Sequence, residues 1–253
     1  MSSGLQSKVI VVTGGTAGMG EAFSRRAASD GATVVIGARD KTRGEQLAAD
    51  IRKDGGLAVF VPTDVTVEEQ VANLVRTAVS EFGRLDGAFN NAGGGNALGK
   101  VREIDESFWR ATLDLNLTSI FFSLKHEIPA IVASGGGSIV NNASTAGVIG
   151  DAAIAAYTAA KHGVVGLTRA AALDAAREGV RINALVTGLV DTPLWRQVAA
   201  ANPEVEDYFL GLQPSGRIGR QEDIAAFAAF LLSDASTYIT GAALPIDGGL
   251  TAK

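Results

Sequence analysis

Val9-Ile-Val-Val-Thr-Gly-Gly-Thr-Ala-Gly-Met-Gly20 decides how this chain is read. An apolar, β-branched run over residues 9–12 predicts a strand, and a helical pattern follows over residues 20–30. Glycines at positions 14, 15, 18 and 20 make the turn between them. Such a turn lets the backbone approach a phosphate, and the helix behind it points free N–H groups and a partial positive charge at that anion. The spacing is T-G-x-x-x-G-x-G, not G-x-G-x-x-G. Alone, a glycine turn is only a turn; its place between a first strand and a helix makes it a nucleotide-phosphate site.

The same alternation runs on from there. Residues 33–36, 58–61, 86–89, 138–141, 181–185 and 243–246 read as further strands, with helical patterns over 20–30, 42–54, 67–82, 107–134, 156–178 and 222–232. The strands are continuous apolar runs, as expected when both faces of a parallel sheet are covered. Strand–helix alternation with right-handed crossovers predicts an α/β fold, a doubly wound parallel sheet with helices on both faces. No repeat or linker divides the chain, so residues 1–253 are expected to form a single domain. Two stretches resist the pattern: the glycine-rich loop 93–99 and the strandless segment 188–220. Long loops at the carboxyl ends of parallel strands are candidate pocket walls.

Composition narrows the function. Over 253 residues, 47% are hydrophobic and 19% charged, which suits a packed globule and not a disordered chain. A net charge of -5 offers no basic field for nucleic acid or an anionic membrane. Cysteine is absent, which removes disulfides and thiolate chemistry, and His126 and His162 are the only histidines, so no metal site is expected. No apolar run approaches the ~20 residues that span a bilayer. The first eight residues lack the build of a signal peptide, which points to the cytosol.

Tyr157 and Lys161 stand one helical turn apart, on one face. A free tyrosine, with a pKa near ~10, holds its proton at neutral pH, and a nearby ammonium favours the phenolate. Bringing such a group toward working pH is how general acid–base catalysis gains ~10²–10⁴-fold. Ser144, at the end of the strand phrase Ser138-Ile-Val-Asn-Asn-Ala-Ser144, is placed to hydrogen-bond a substrate oxygen. Each feature has a plainer reading: a Tyr-x-x-x-Lys pair arises by chance, and Ser144 is also a fitting cap for the turn after it.

Several phrases in order resemble the short-chain dehydrogenase/reductase family over essentially the whole chain: Thr13–Gly20, Asp64-Val65, Asn90-Asn-Ala-Gly93, Asn116, Ser144, Tyr157-Thr-Ala-Ala-Lys161, the segment 183–188 and Asp247-Gly-Gly249. The resemblance implies a Rossmann-like sheet of about seven strands, a homotetramer and hydride exchange with NAD(P). It implies a catalytic set of Asn116, Ser144, Tyr157 and Lys161, with Asn116 holding a water that links the lysine to solvent. On residues alone, Asn116 could be a core polar group or a kink in an apolar helix.

The resemblance also distributes the dinucleotide. Gly14, Thr16, Gly18, Met19 and Gly20 would cradle the pyrophosphate, and Asp64 and Val65 would hold the adenine. As bare sequence, Asp64 is a turn or cap carboxylate, with Thr66 competing as the cap. Asn91, Ala92 and Gly93 would border the cofactor, Tyr157 and Lys161 would reach it, and Gly188, Val190 and Thr192 would meet the nicotinamide, Thr192 at its carboxamide. The family usually has proline before that glycine; Thr187 in its place implies a freer loop. After the second strand no acid appears before Asp40, and Arg39 suits a 2′-phosphate, so NADP(H) is favoured over NAD(H). Stacked on adenine instead, Arg39 would serve NAD equally.

Segment 188–220 sits where the family carries its substrate lid. Gly94, Gly95, Ser144, Ala146, Ile149, Tyr157, Leu189, Leu194, Trp195 and Tyr208 are the candidate substrate contacts, a set that suggests an uncharged, largely apolar secondary alcohol or ketone. Lys100 and Arg196 are the cations that could argue for an acidic one. His126, His162 and the cluster Arg220, Glu222 and Asp223 read as surface, packing or helix-start residues. A non-catalytic dinucleotide-binding redox sensor is the alternative function; loss of Tyr157 or Lys161 would have favoured it, and both are present.

Overall fold

A computed structural model of the chain describes residues 4–94, 99–201 and 203–252. Seven parallel strands form one sheet: β1 (Val9–Thr13), β2 (Thr33–Ala38), β3 (Leu57–Pro62), β4 (Gly87–Asn90), β5 (Gly137–Asn142), β6 (Val180–Thr187) and β7 (Ala243–Ile246), ordered β3-β2-β1-β4-β5-β6-β7. The helices are α1 (Gly18–Ser29), α2 (Lys41–Lys53), α3 (Glu68–Phe82), α4 (Glu106–Leu113), α5 (Ser119–Ala133), α6 (Ala155–Ala175), α7 (Pro193–Ala201), α8 (Pro203–Leu212) and α9 (Gln221–Leu232). This is the expected Rossmann-like, doubly wound sheet.

Alternation along each strand splits the core in two. Ile10 and Val12 of β1 join Phe23, Ala27, Leu47, Ile51, Ile224 and Ala228 under α1, α2 and α9. Val9 and Val11 face the other way, to Leu74, Val75, Leu124, Ile131, Val164 and Ala171 under α3, α5 and α6. Both faces being covered, every residue of β1, β2 and β4 is buried, which is why these strands read as unbroken apolar runs. Beyond β1 the chain winds outward to β2 and β3, then returns to β4 on β1's other side. The carboxyl ends of β1 and β4 therefore border the crevice where such sheets bind ligands.

Two expectations are corrected. The single helix expected over 107–134 is interrupted by a π turn at 114–118, where the Ser119 N–H reaches back to the Asp114 carbonyl. Segment 188–220, expected only to lack a strand, holds the two helices α7 and α8, each opening on proline, whose fixed φ suits a first helical position. Among the described residues no helix is long and apolar enough to cross a membrane.

Candidate active site

A cleft of about 530 Å³ runs along the carboxyl ends of the strands. The glycine turn forms its middle. Gly14 (φ +62°) and Gly18 (φ +55°) take left-handed backbone that other residues rarely adopt. Gly20 serves a different end: a Cβ there would fall on the Gly14 carbonyl, so its bareness lets α1 dock against the turn. Ala17 begins α1 without any side-chain cap, which leaves the helix's first N–H groups directed at the cleft. That geometry fits a dinucleotide pyrophosphate: positive-φ glycines, free amides and no carboxylate in the turn.

Arg39, Asp40, Asp64 and Val65 line one end of the cleft. Arg39 is exposed and makes no hydrogen bond or ion pair among the described residues, so its guanidinium is available. Asp40 is engaged, accepting from the Arg43 N–H as the cap of α2. Asp64 accepts from the Thr66 N–H and hydroxyl through one oxygen, at 2.9 and 2.7 Å, and these bonds hold its carboxyl below the usual range. The turn reading of Asp64 thus holds for Oδ1 and leaves Oδ2 for a ligand. Thr66 does not cap α3; the helix starts after Val67 with no side-chain cap.

At the other end stand Tyr157, Lys161, Asn142, Ala143, Leu115 and Thr187. Lys161 is buried, and its Nζ lies 5.5 Å from the Tyr157 ring centre and donates to the Asn142 carbonyl at 2.8 Å. Burial pulls the ammonium down to about 8. Burial likewise pushes the Tyr157 phenol up, and the Ser144 hydroxyl draws it partly back. The expected lowering by the lysine does not appear: only the Ser144 bond opposes desolvation, and the phenol keeps its proton at neutral pH. Ser144 Oγ also accepts from the Ala146 N–H at 3.2 Å, so it caps its turn and faces the tyrosine at once.

Asn116 is wholly buried in the π turn. Its Nδ2 donates to the Thr112 and Gly94 carbonyls, both at 3.0 Å, and its Oδ1 accepts from the Gly94 N–H at 2.9 Å. Asn116 therefore ties the loop after β4 to the helix. A Cβ on Gly93 would meet Asn116 Oδ1 at 2.9 Å and Lys161 Nζ at 3.5 Å, which places both against the bare face of that glycine. Asn91 braces the glycine turn from β4, its Nδ2 donating to the Gly14 carbonyl at 3.2 Å.

The structure brings Gly14, Thr16, Gly18, Met19, Arg39, Asp64, Val65, Asn91, Ala92, Gly93, Gly94, Tyr157, Lys161 and Thr192 to one cleft. Thr192 Oγ1 accepts from the Trp195 N–H and so caps α7 as well. Gly20, Asn116, Ser144, Gly188, Val190, Leu189, Ala146, Ile149, Trp195 and Tyr208 do not line it; Asn116 lies behind Gly93 and Gly94, and Ser144 reaches the cleft only through its bond to Tyr157. Val190 packs in the core, and Tyr208 is 64% exposed. Gly95 lies outside the described residues, as does the Leu194 side chain. The freer loop expected at Thr187 is not seen: its hydroxyl contacts the Ala143 carbonyl and Asn142 Oδ1, both at 3.3 Å, and ties β6 to β5. Asn142, which sequence reasoning missed, acts through its main-chain carbonyl; the only signal was its place in the phrase 138–144.

The family model described as Enoyl-(Acyl carrier protein) reductase, a short-chain dehydrogenase model, matches residues 14–251. The chain belongs to the short-chain dehydrogenase/reductase family. This short-chain dehydrogenase is 39% identical over 253 residues to the cyclohexanol dehydrogenase of Acinetobacter sp. (strain SE19), covering 100% of this chain and 98% of that one. It is 41% identical to the cis-4-hydroxycyclohexanecarboxylate dehydrogenase of Sinomonas cyclohexanicum, over 100% of both chains. Among solved structures, levodione reductase superposes with a TM-score of 0.93 at 33% identity, over 98% of each chain. The short-chain dehydrogenase is thus an NAD(P)-dependent oxidoreductase that exchanges a hydride between alcohol and ketone.

Proposed function

We propose that the enzyme oxidises a neutral, six-membered carbocyclic secondary alcohol, or reduces the matching ketone, with NADP(H) favoured over NAD(H). The observation that carries the reading is the meeting of the Tyr157 phenol and Lys161 ammonium at one end of a cleft whose middle is the glycine turn, with the Ser144 hydroxyl bonded to the phenol from behind that lining. When bound, the nicotinamide supplies or accepts the hydride. Tyr157 gives its proton to the carbonyl oxygen in reduction and takes it back in oxidation. Ser144 hydrogen-bonds that oxygen as charge develops on it. Lys161, steadied by Asn142, supplies positive charge beside the phenol, and Asn116 holds the 93–94 loop against it.

The ring-shaped substrate rests on the names of the relatives, both saturated six-membered carbocycles. Neutrality rests on this chain's own residues: Arg196 is locked in a two-point pair with Asp191, at 2.7 Å on each arm, which spends its charge. The NADP(H) preference rests on Arg39, exposed at the cleft's end and without a hydrogen bond or ion pair among the described residues. A single domain with a lid over 188–220, assembly as a homotetramer and a cytosolic site complete the proposal, the last two by family resemblance. A sensor that binds dinucleotide without turnover has no observation in its favour.

The test is a panel of cyclohexanol, cyclohexanone, a hydroxycyclohexanecarboxylate and open-chain alcohols, followed by reduced-nicotinamide absorbance with each dinucleotide in turn. Turnover highest on the neutral ring with NADP(H) is the expected result; preference for the carboxylate or the open chains overturns the substrate assignment, and preference for NAD(H) the cofactor assignment.

A further inference from the structure

Beneath the cleft lies a sealed polar chain that the reaction does not use. Glu127, in the middle of α5, is 0% exposed, as are Asn90, Asn141 and Thr168. Asn90 Nδ2 donates to Glu127 Oε2 at 2.8 Å and to Asn141 Oδ1 at 3.0 Å, and Asn141 Nδ2 donates to Thr168 Oγ1 of α6 at 2.9 Å. Asn90 and Asn141 are direct partners across β4 and β5. The next residue on each strand belongs to the site: Asn91 braces the Gly14 carbonyl, and the Asn142 carbonyl holds Lys161. Those two are themselves joined, Asn142 Nδ2 to Asn91 Oδ1 at 3.2 Å.

A carboxyl in such a place is costly, because an apolar side chain would fill α5's inner face without desolvating anything. Its buried neighbours on α5 are Ser119, Ile120, Ser123, Leu124 and Ile131, so Glu127 is the one ionisable group on that face. We propose that Glu127 is a positioning residue of the reaction: through Asn90 and Asn141 it fixes the ends of β4 and β5, and with them the Asn142 carbonyl that holds Lys161 and the Asn91 amide that holds the glycine turn. The inference rests on the reading of Lys161 and the glycine turn given above.

Two further observations agree. Glu127 Oε1 and Asn90 Oδ1 are both buried without a hydrogen-bond partner among the described residues. A protonated carboxyl can close a two-point pair with the amide, Asn90 Nδ2–H to Oε2 and Oε1–H to Asn90 Oδ1, which satisfies both orphans; an ionised one leaves Asn90 Oδ1 without a donor. Burial pushes the carboxyl up to about 7, the Asn90 amide pulls it down, and among the described residues no charged side chain on α3, α6 or the strands acts on it. The Oε1–H bond to Asn90 Oδ1 is available below neutrality and is lost as Glu127 ionises above it, while the Nδ2–H bond to Oε2 persists.

The test uses the full chain as Glu127→Leu and Glu127→Gln, with folding checked by circular dichroism. Dinucleotide affinity is read from reduced-nicotinamide fluorescence and kcat and KM from a ring alcohol, below and above neutral pH. Orphaning Asn90 in the Leu variant is expected to lower kcat and weaken dinucleotide binding, each by roughly tenfold, with little change in the KM for alcohol. Glutamine, which offers Asn90 an acceptor and a fixed donor, is expected to restore both. It should also hold dinucleotide affinity above neutrality, where the wild type loses it. A folded Leu variant with wild-type binding and kcat overturns the proposal, as does a folded Gln variant that rescues neither. If the Leu variant does not fold, coincident pH profiles of wild type and Gln overturn it. Wild-type protein that binds dinucleotide but turns over no alcohol refutes the proposed function instead, while the fluorescence comparison still decides the role of Glu127.

Discussion

Lys161 and Asn142 are joined by a buried hydrogen bond, Nζ to main-chain oxygen at 2.8 Å, that ties helix α6 to the end of β5. The lysine carries its charge in a place that resists charge, and its proton affinity falls from 10.5 to about 8 through burial. At ~1.4 kcal/mol per tenfold change, that fall costs the folded state about 3 kcal/mol at neutral pH. Between about 8 and 10.5 the unfolded chain binds the extra proton, so the cost fades and stability rises with pH across that window. Lys161→Met is therefore expected to raise the melting temperature at pH ~7, to lack this alkaline rise, and to lose turnover by ~10²-fold or more. Thermal melts over pH, set beside single-turnover rates, check all three; a variant less stable than wild type at neutral pH contradicts the argument.

Tyr157→Phe removes the proton donor and little else. Turnover should fall by ~10²–10⁴-fold, while the dinucleotide dissociation constant stays within a factor of about three. Steady-state kinetics and fluorescence titration on one preparation separate the two, and unchanged turnover with a genuine ketone would falsify the assignment.

Arg39→Ala tests the cofactor preference. A lost charge-assisted contact to a 2′-phosphate is worth about 1.5–3 kcal/mol, so NADPH affinity should drop roughly 10- to 100-fold with NADH nearly unchanged. Raising the salt concentration should narrow that gap, because the guanidinium is exposed. Equal loss for both dinucleotides would mean that Arg39 stacks on adenine.

Gly20→Ala places a methyl group against the Gly14 carbonyl, which is backbone and cannot swing aside. Dinucleotide affinity is expected to fall by at least about tenfold, with the fold retained, since the overpacking costs ~1–3 kcal/mol at one turn. Titration with either nucleotide and a melting curve measure the two effects; wild-type affinity would mean that α1 has room to shift.

The sheet was legible because burial on both faces writes the inner strands β1 and β2 as nearly unbroken apolar runs, while β5 and β6 keep apolar centres between polar residues such as Asn141, Arg181 and Asn183. Asn116 shows where legibility ends. Its bonds to Gly94 span 22 residues, and no local pattern announces that a loop so distant will draw a helix into a π turn. Helices α7 and α8 escaped for a related reason: Trp195 and Phe209 pack on each other at 5.4 Å, so part of their apolar content answers to a partner helix instead of the sheet. Asn142 was invisible because its contribution to the site is a carbonyl oxygen, which every residue possesses.

The π turn at 114–118 has a bearing on anyone who would rebuild this chain. It is one residue longer than the helix requires, so deleting a residue there would leave a smoother cylinder with better-aligned amides. Because the wide turn already absorbs its extra residue, the inner face of α5, Glu127 included, would stay on the sheet; what would go is the bulge that carries Asn116 to Gly94. A redesign that rewarded helical regularity would accept that change as an improvement, and would return a smoother helix with no asparagine to hold the loop after β4.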